Sequence, residues 1–186
     1  MGYYNSPWEF SLEKEIRDEH TEPAPPLSTV ALADREGEAH WFFGGLYTLK
    51  ATGADTGGAM TVFEVLAGVE AGPPLHVHER EDEALYVLEG EIELHVGDLV
   101  TRLGPGGCAF APRRVPHTWA VTSEPPARLF AVATPAGFDD FVRAFGEPAP
   151  ALTLPPVPDT PPDPSAAIAA AAEAGIRFLG PPIRPS

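Results

Sequence analysis

Between two proline-rich stretches the chain alternates in the manner of short strands. In "MTVFEVLAG", Thr61, Phe63 and Val65 share one face. In "EIELHVG", Ile92, Leu94 and Val96 point one way, and Glu91, Glu93 and His95 the other. "ARLFAVATP" is a further β-type run. Alternation with a period of two is what a strand requires, because successive side chains leave opposite faces. Gly57-Gly58, Gly72-Pro73-Pro74, Gly97-Asp98 and Gly104-Pro105-Gly106 fall between the runs as turn signals. Short strands at such spacing, with no helical stretch between them, predict an all-β antiparallel sandwich or barrel.

The 23 prolines cluster in "EPAPPLS" (Glu22 to Ser28) and "EPAPALTLPPVPDTPPDP" (Glu147 to Pro164). Neither can be regular helix or central strand, since proline lacks the N–H and clashes with the preceding turn. The expected division is an N-terminal extension over 1–40, a β domain over 41–135, and a C-terminal region over 136–186. Helix is expected only outside the strands. "GFDDFVRAFG" puts Phe138, Phe141 and Phe145 on one face, with Gly146 as a stop. "DPSAAIAAAAEAG" offers Asp163 as cap, Pro164 at the first helical position and Gly175 past the end. "EFSLEKEIRDEH" predicts a further short helix.

Of the 186 residues, 44% are hydrophobic, which suits one domain with extra segments. Twelve basic against 27 acidic residues give a net charge of −15. Such a surface repels nucleic acid and anionic membranes, so neither is an expected partner. One cysteine, Cys108, excludes an intrachain disulfide and reads as a small buried residue. The N-terminal residues carry no basic and apolar leader pattern, so a cytoplasmic location is expected.

The stretch "GPPLHVHEREDEALYVLEG" holds the densest chemistry. On a strand, His76 and His78 point the same way. A turn at "ERED" brings Glu83 onto the next strand, beside them, and leaves Glu79, Arg80, Glu81 and Asp82 as a solvated turn. Two imidazoles and a carboxylate converging in a core are costly unless something satisfies them, and a divalent metal does so. His20, His40 and His95 have no such partners. Arg113 and Arg114 read as surface arginines.

These residues resemble the cupins. The family's first motif corresponds to His76, His78, Glu83 and Gly90, and its second to Gly106, Pro112 and His117 in "GGCAFAPRRVPH". The resemblance covers roughly Phe42 to Thr134. It implies a cupin-type antiparallel β-barrel (a double-stranded β-helix, or jelly roll) with short terminal helices. It makes His117 the fourth ligand, beside His76, His78 and Glu83, of one divalent transition metal per chain. Imidazole and carboxylate do not distinguish iron, nickel, manganese, cobalt, copper and zinc. The chain departs from the family at Arg114, where glycine is usual. A left-handed non-glycine residue costs about 1–2 kcal/mol, so a different turn shape is expected there. It also departs at Val121, where asparagine is common, which implies a drier pocket.

Among the aromatic residues, Phe63 and Phe130 read as core. Trp119 lies two residues after His117 and so shares its face. Tyr86 and Phe110 are the other expected substrate contacts. The chain's layout resembles that of bacterial single-domain cupins related to quercetin 2,3-dioxygenase. The leading expectation is therefore a dioxygenase acting on a small enolisable or flavonol-like substrate, with Glu83 also serving as catalytic base. The alternatives are a non-oxidative isomerase, lyase or cyclase, and a binding module without catalysis. A homodimer is expected, because a small β domain has sheet edges that need cover.

Overall fold

The computed structural model describes residues 27–157 and 164–185. The expected helix at "EFSLEKEIRDEH" and the cap at Asp163 lie outside those residues. In chain order the elements are β1 (Glu38–Phe42), β2 (Gly45–Ala51), α1 (Gly53–Thr56), β3 (Thr61–Ala67), β4 (His76–His78), β5 (Asp82–Glu89), β6 (Ile92–Val96) and β7 (Leu99–Leu103). They continue with β8 (Cys108–Ala111), β9 (His117–Val121), β10 (Ala127–Thr134), α2 (Phe138–Phe145), β11 (Glu147–Pro148), α3 (Pro164–Glu173) and β12 (Ile176–Phe178).

The strands form two antiparallel sheets. One runs β11-β1-β2-β3-β10-β5-β8 and the other β12-β4-β9-β6-β7. They stack as a jelly-roll sandwich and do not close into the barrel that was expected. The core between them follows the alternation of the sequence. β3 buries Thr61, Phe63 and Val65, and β10 buries Leu129, Ala131 and Ala133. On β6 the alternation fails at Glu93, which is buried and lies 3.1 Å from the His95 Nε2.

α1 falls inside the strand region, where no helix was expected. Its four residues are too few to show a helical period, and it is set by its cap, with the Thr52 N–H donating to Asp55 Oδ2 at 2.9 Å. α2 packs its aromatic face on the core as expected. Phe138 stacks on Phe63 with centroids 4.6 Å apart, and Phe141 meets Phe42 edge-on at 5.0 Å. Asp139 ties the helix down by accepting from Thr61 Oγ1 at 2.6 Å. The helix stops where a side chain at Gly146 would come 2.5 Å from the Val142 carbonyl oxygen.

The C-terminal region joins the sheet that carries the histidines. After α3 the chain turns at Gly175, and β12 pairs with β4, Ile176 opposite His78 and Phe178 opposite His76. β1 likewise begins at Glu38, within the segment expected to be an extension. Two turns bear on the site. Gly90 has φ 76°, and a side chain there would strike Ala127 at 2.7 Å. Arg114 has φ 66°, so the chain keeps the left-handed turn without glycine, and the expectation of a different turn shape is corrected. Among the described residues, no helix is long and apolar enough to cross a membrane.

Candidate metal centre

β4 is only three residues long and supplies two of the four candidate ligands. His76 and His78 leave the same face and are buried. β9 runs beside β4 with His117 directly opposite His76, the ring centroids 4.3 Å apart. Glu83 arrives on β5, which belongs to the other sheet. The carboxylate therefore faces the histidines across the sandwich and is not beside them on a neighbouring strand, as was expected. The turn at "ERED" is a crossing between sheets.

The ring nitrogens are sorted by their hydrogen bonds. His76 Nδ1 lies 2.8 Å from the Pro74 carbonyl oxygen, His117 Nδ1 3.0 Å from that of Val115, and His78 Nδ1 2.8 Å from Glu81 Oε2. Each of these acceptors requires a proton on Nδ1. That leaves every Nε2 for the centre. One donor atom from each of His76, His78, Glu83 and His117 can be chosen so that all lie within 4.8 Å of one another. Ligands on opposite sides of one ion stand about 4.2 Å apart, so small side-chain shifts suffice to share an ion.

The charges support the same reading. Burial would raise the Glu83 pKa, but the hydrogen bond and the charge of His117 beside it outweigh burial and hold the value at about 2. Burial, with its two histidine neighbours, pushes His76 down to about 3, so this ring is neutral and its nitrogen is free to coordinate. Burial also opposes charge on His117, but the hydrogen bond and charge of Glu83 prevail and raise its pKa. His117 Nε2 lies 3.2 Å from Glu83 Oε2. Pairing within the cluster still leaves His78 Nε2 buried with no hydrogen-bond partner among the described residues. A buried orphan of this kind is costly, and a cation satisfies it together with the carboxylate. The donor set fits a divalent transition metal, which these four residues could bind.

His76 and Glu83 also form part of the wall of a cavity that is otherwise mostly aromatic and aliphatic. Its lining includes Phe42, Tyr47, Phe63, Trp119 and Phe138. Trp119 is thus in the cavity wall. Tyr86 and Phe110 are not. They are 42% and 59% exposed, because Glu83, Leu85 and Val87 take the inward phase of β5 and leave Tyr86 outside. Phe110 pairs with Ala84 on that same outward phase. Cys108, opposite Tyr86, is exposed as well, which corrects the expectation of a buried thiol.

Two residues escaped the sequence reading. Tyr47 lies on β2, which gave no clear strand signal; burial and the charge of Glu83 push its phenol up, so it stays protonated. Glu81, expected in solvent, is 3% exposed and holds His78. The rest of that turn is as expected. Asp82 pairs with Arg113 at 2.7 Å and Glu79 with Arg177 at 3.0 Å, all at the surface.

Residues 62–133 match the family model of the cupin domain. These residues form a cupin domain. Quercetin 2,3-dioxygenase from Bacillus subtilis (strain 168) is 32% identical over 92 residues, 50% of this chain and 27% of that protein. The match therefore spans little more than a quarter of the relative's length. Two solved structures are matched over most of their own length. The structure of KdgF from Halomonas sp. has a TM-score of 0.52 at 22% identity, covering 60% of this chain and 98% of that one. An RmlC-like cupin from Shewanella frigidimarina NCIMB 400 has a TM-score of 0.51 at 19% identity, covering 59% and 93%. Likeness at these identities concerns the fold.

Proposed function

We propose that this cupin is a metal-dependent dioxygenase for a small enolisable or aromatic substrate. The carrying observation is the union of the His76, His78, Glu83 and His117 cluster with a cavity walled by aromatic rings. The quercetin 2,3-dioxygenase relative supports the same reading. A divalent ion held by the four residues would supply Lewis acidity toward a substrate oxygen and, if redox-active, electron exchange with dioxygen.

The chain's own residues do the remainder. The apolar rings exclude water and receive the substrate's carbon skeleton. Tyr47, protonated and buried in that wall, offers a hydrogen bond to a substrate oxygen. Glu83 accepts the proton of the enol or phenol. At a pKa of about 2 it is a weak base, so it suits a substrate hydroxyl already acidified on binding. The cavity measures about 30 Å³, far below the roughly 300 Å³ of small ligand pockets. A flavonol therefore requires ring movement. Phe43 and Phe178 are the half-buried aromatic rings of the lining, so they are the ones free to swing.

The test is oxygen uptake by protein loaded in turn with each candidate metal, on a panel of diketones and flavonols. The reading expects uptake with at least one pair, with small diketones favoured over flavonols. Substrate conversion at an unchanged rate without oxygen would point instead to a non-oxidative enzyme. Binding without any conversion would point to a ligand carrier.

A further inference from the structure

The three histidines are not held alike. His76 and His117 direct Nδ1 at the backbone carbonyls of Pro74 and Val115, two residues back along the chain. His78 alone directs Nδ1 at a carboxylate, Glu81 Oε2, at 2.8 Å. Both partners are almost fully enclosed, with side-chain exposures of 1% and 3%. The second oxygen, Glu81 Oε1, is buried with no hydrogen-bond partner among the described residues. An enclosed carboxylate with one oxygen unmatched is expensive to keep. A glutamine there could accept the same N–H without a buried charge.

The surrounding turn holds Glu81 in place. The Glu79 N–H donates to the Gly175 carbonyl at 2.8 Å, and the Arg114 N–H donates to the His78 carbonyl at 2.7 Å. Gly137 closes over the carboxylate, and a side chain there would come 3.2 Å from Oε1. The charge is therefore fixed against one imidazole.

We infer that Glu81 is a positioning residue of the metal centre, whose carboxylate locks the His78 tautomer and strengthens Nε2 as a donor. This rests on the reading of the cluster as a metal site. A charged acceptor polarises an imidazole more than a neutral carbonyl does. Loss of such partners typically weakens metal binding about 10–100-fold. His78 is then the most strongly donating of the three histidines, and its strength as a ligand depends on a residue that the cupin motif spans but does not specify.

The probe is Co(II), whose visible spectrum reports ligand strength and geometry. Affinity is measured by chelator competition for the wild type, Glu81→Gln and His78→Ala, with circular dichroism as the check on folding. The expected result is binding by the wild type, about 10–100-fold weaker binding with a shifted spectrum for Glu81→Gln, and a deeper loss for His78→Ala. Affinity within threefold of wild type and an unchanged spectrum for Glu81→Gln overturns the positioning role while leaving the metal site standing. No Co(II) binding by the wild type overturns both. A measurement on unsubstituted protein covers the case of a misfolded variant. In the zinc-loaded wild type, the Nδ1–H proton of His78 should resonate downfield of those of His76 and His117. Coincidence of the three signals contradicts the inference.

Discussion

Arg114 holds a left-handed backbone at φ 66°, and its N–H donates to the carbonyl of a candidate ligand, His78, at 2.7 Å. The strain there costs about 1–2 kcal/mol. Glycine removes it but gives back roughly 0.5–1 kcal/mol in unfolded-chain entropy. The central net gain is about 0.75 kcal/mol, so Arg114→Gly should raise Tm by about 1.5–3 °C, at the roughly 2–4 °C per kcal/mol of a chain this size. Calorimetry checks it, and an unchanged or lower Tm would mean the turn is relaxed. A second prediction concerns Glu83. Glu83→Gln keeps the shape and one oxygen but loses the charge. At matched metal occupancy its turnover should fall at least ~100-fold, the low end for losing a general base. Near-wild-type turnover would confine Glu83 to metal binding. At this scale the sequence was legible where a residue type has one cheap explanation. Two histidines on one strand face and a third in a second motif admit few others. Glu81 did not stand out because its neighbours Glu79, Asp82 and Glu83 are acidic too, and only the crossing between sheets separates buried from solvated. Tyr86, Cys108 and Phe110 were misplaced because aromatic and thiol side chains suit either face. Only the register of β5 against β8 decides between them.

Among the elements, the alternating strands β3 and β10 were readable because each buries one face, and β6 was readable from Ile92 and Leu94 although Glu93 is buried between them. β12 was not, since its role comes from pairing with β4, about a hundred residues earlier in the chain. α2 was readable from its phenylalanine spacing, but its anchors were not. One of these is Arg143, which binds Glu38 of β1 at 2.7 Å. The Arg143 hydrogen bond outweighs partial burial, with help from His40, and lowers the Glu38 pKa from 4.5 to about 2. A lowered carboxylate pKa stabilises the fold above the unfolded value. That contribution is lost as pH falls from about 4.5 to about 2. Glu38 is 46% exposed, so solvent screening limits the effect to about 1 kcal/mol or less. In acid titrations followed by circular dichroism, Glu38→Gln should be less stable than wild type at pH 6 and converge with it near pH 2. A constant difference across that range would contradict the pairing.

For the whole molecule, the sandwich brings a carboxylate from one sheet to histidines of the other, so the centre exists only when both sheets are assembled. Exposed Tyr86 and Phe110 lie on β5 and the edge strand β8, where a second copy would find apolar surface and open backbone groups. We therefore expect a homodimer, with light scattering giving about twice the chain mass of 19.8 kDa. A single-chain mass at micromolar concentration would refute it. The central claim is that His76, His78, Glu83 and His117 hold a metal within a core that folds without it. Many other residues, among them Phe63, Leu94 and Leu129, build that core. The most direct measurement is elemental analysis of the protein purified without added metal, beside a His76→Ala, His78→Ala double variant, with circular dichroism on both. The account predicts a transition metal in the wild type, its loss in the variant, and the same β-rich spectrum for each. Equal metal content in the two proteins would contradict it.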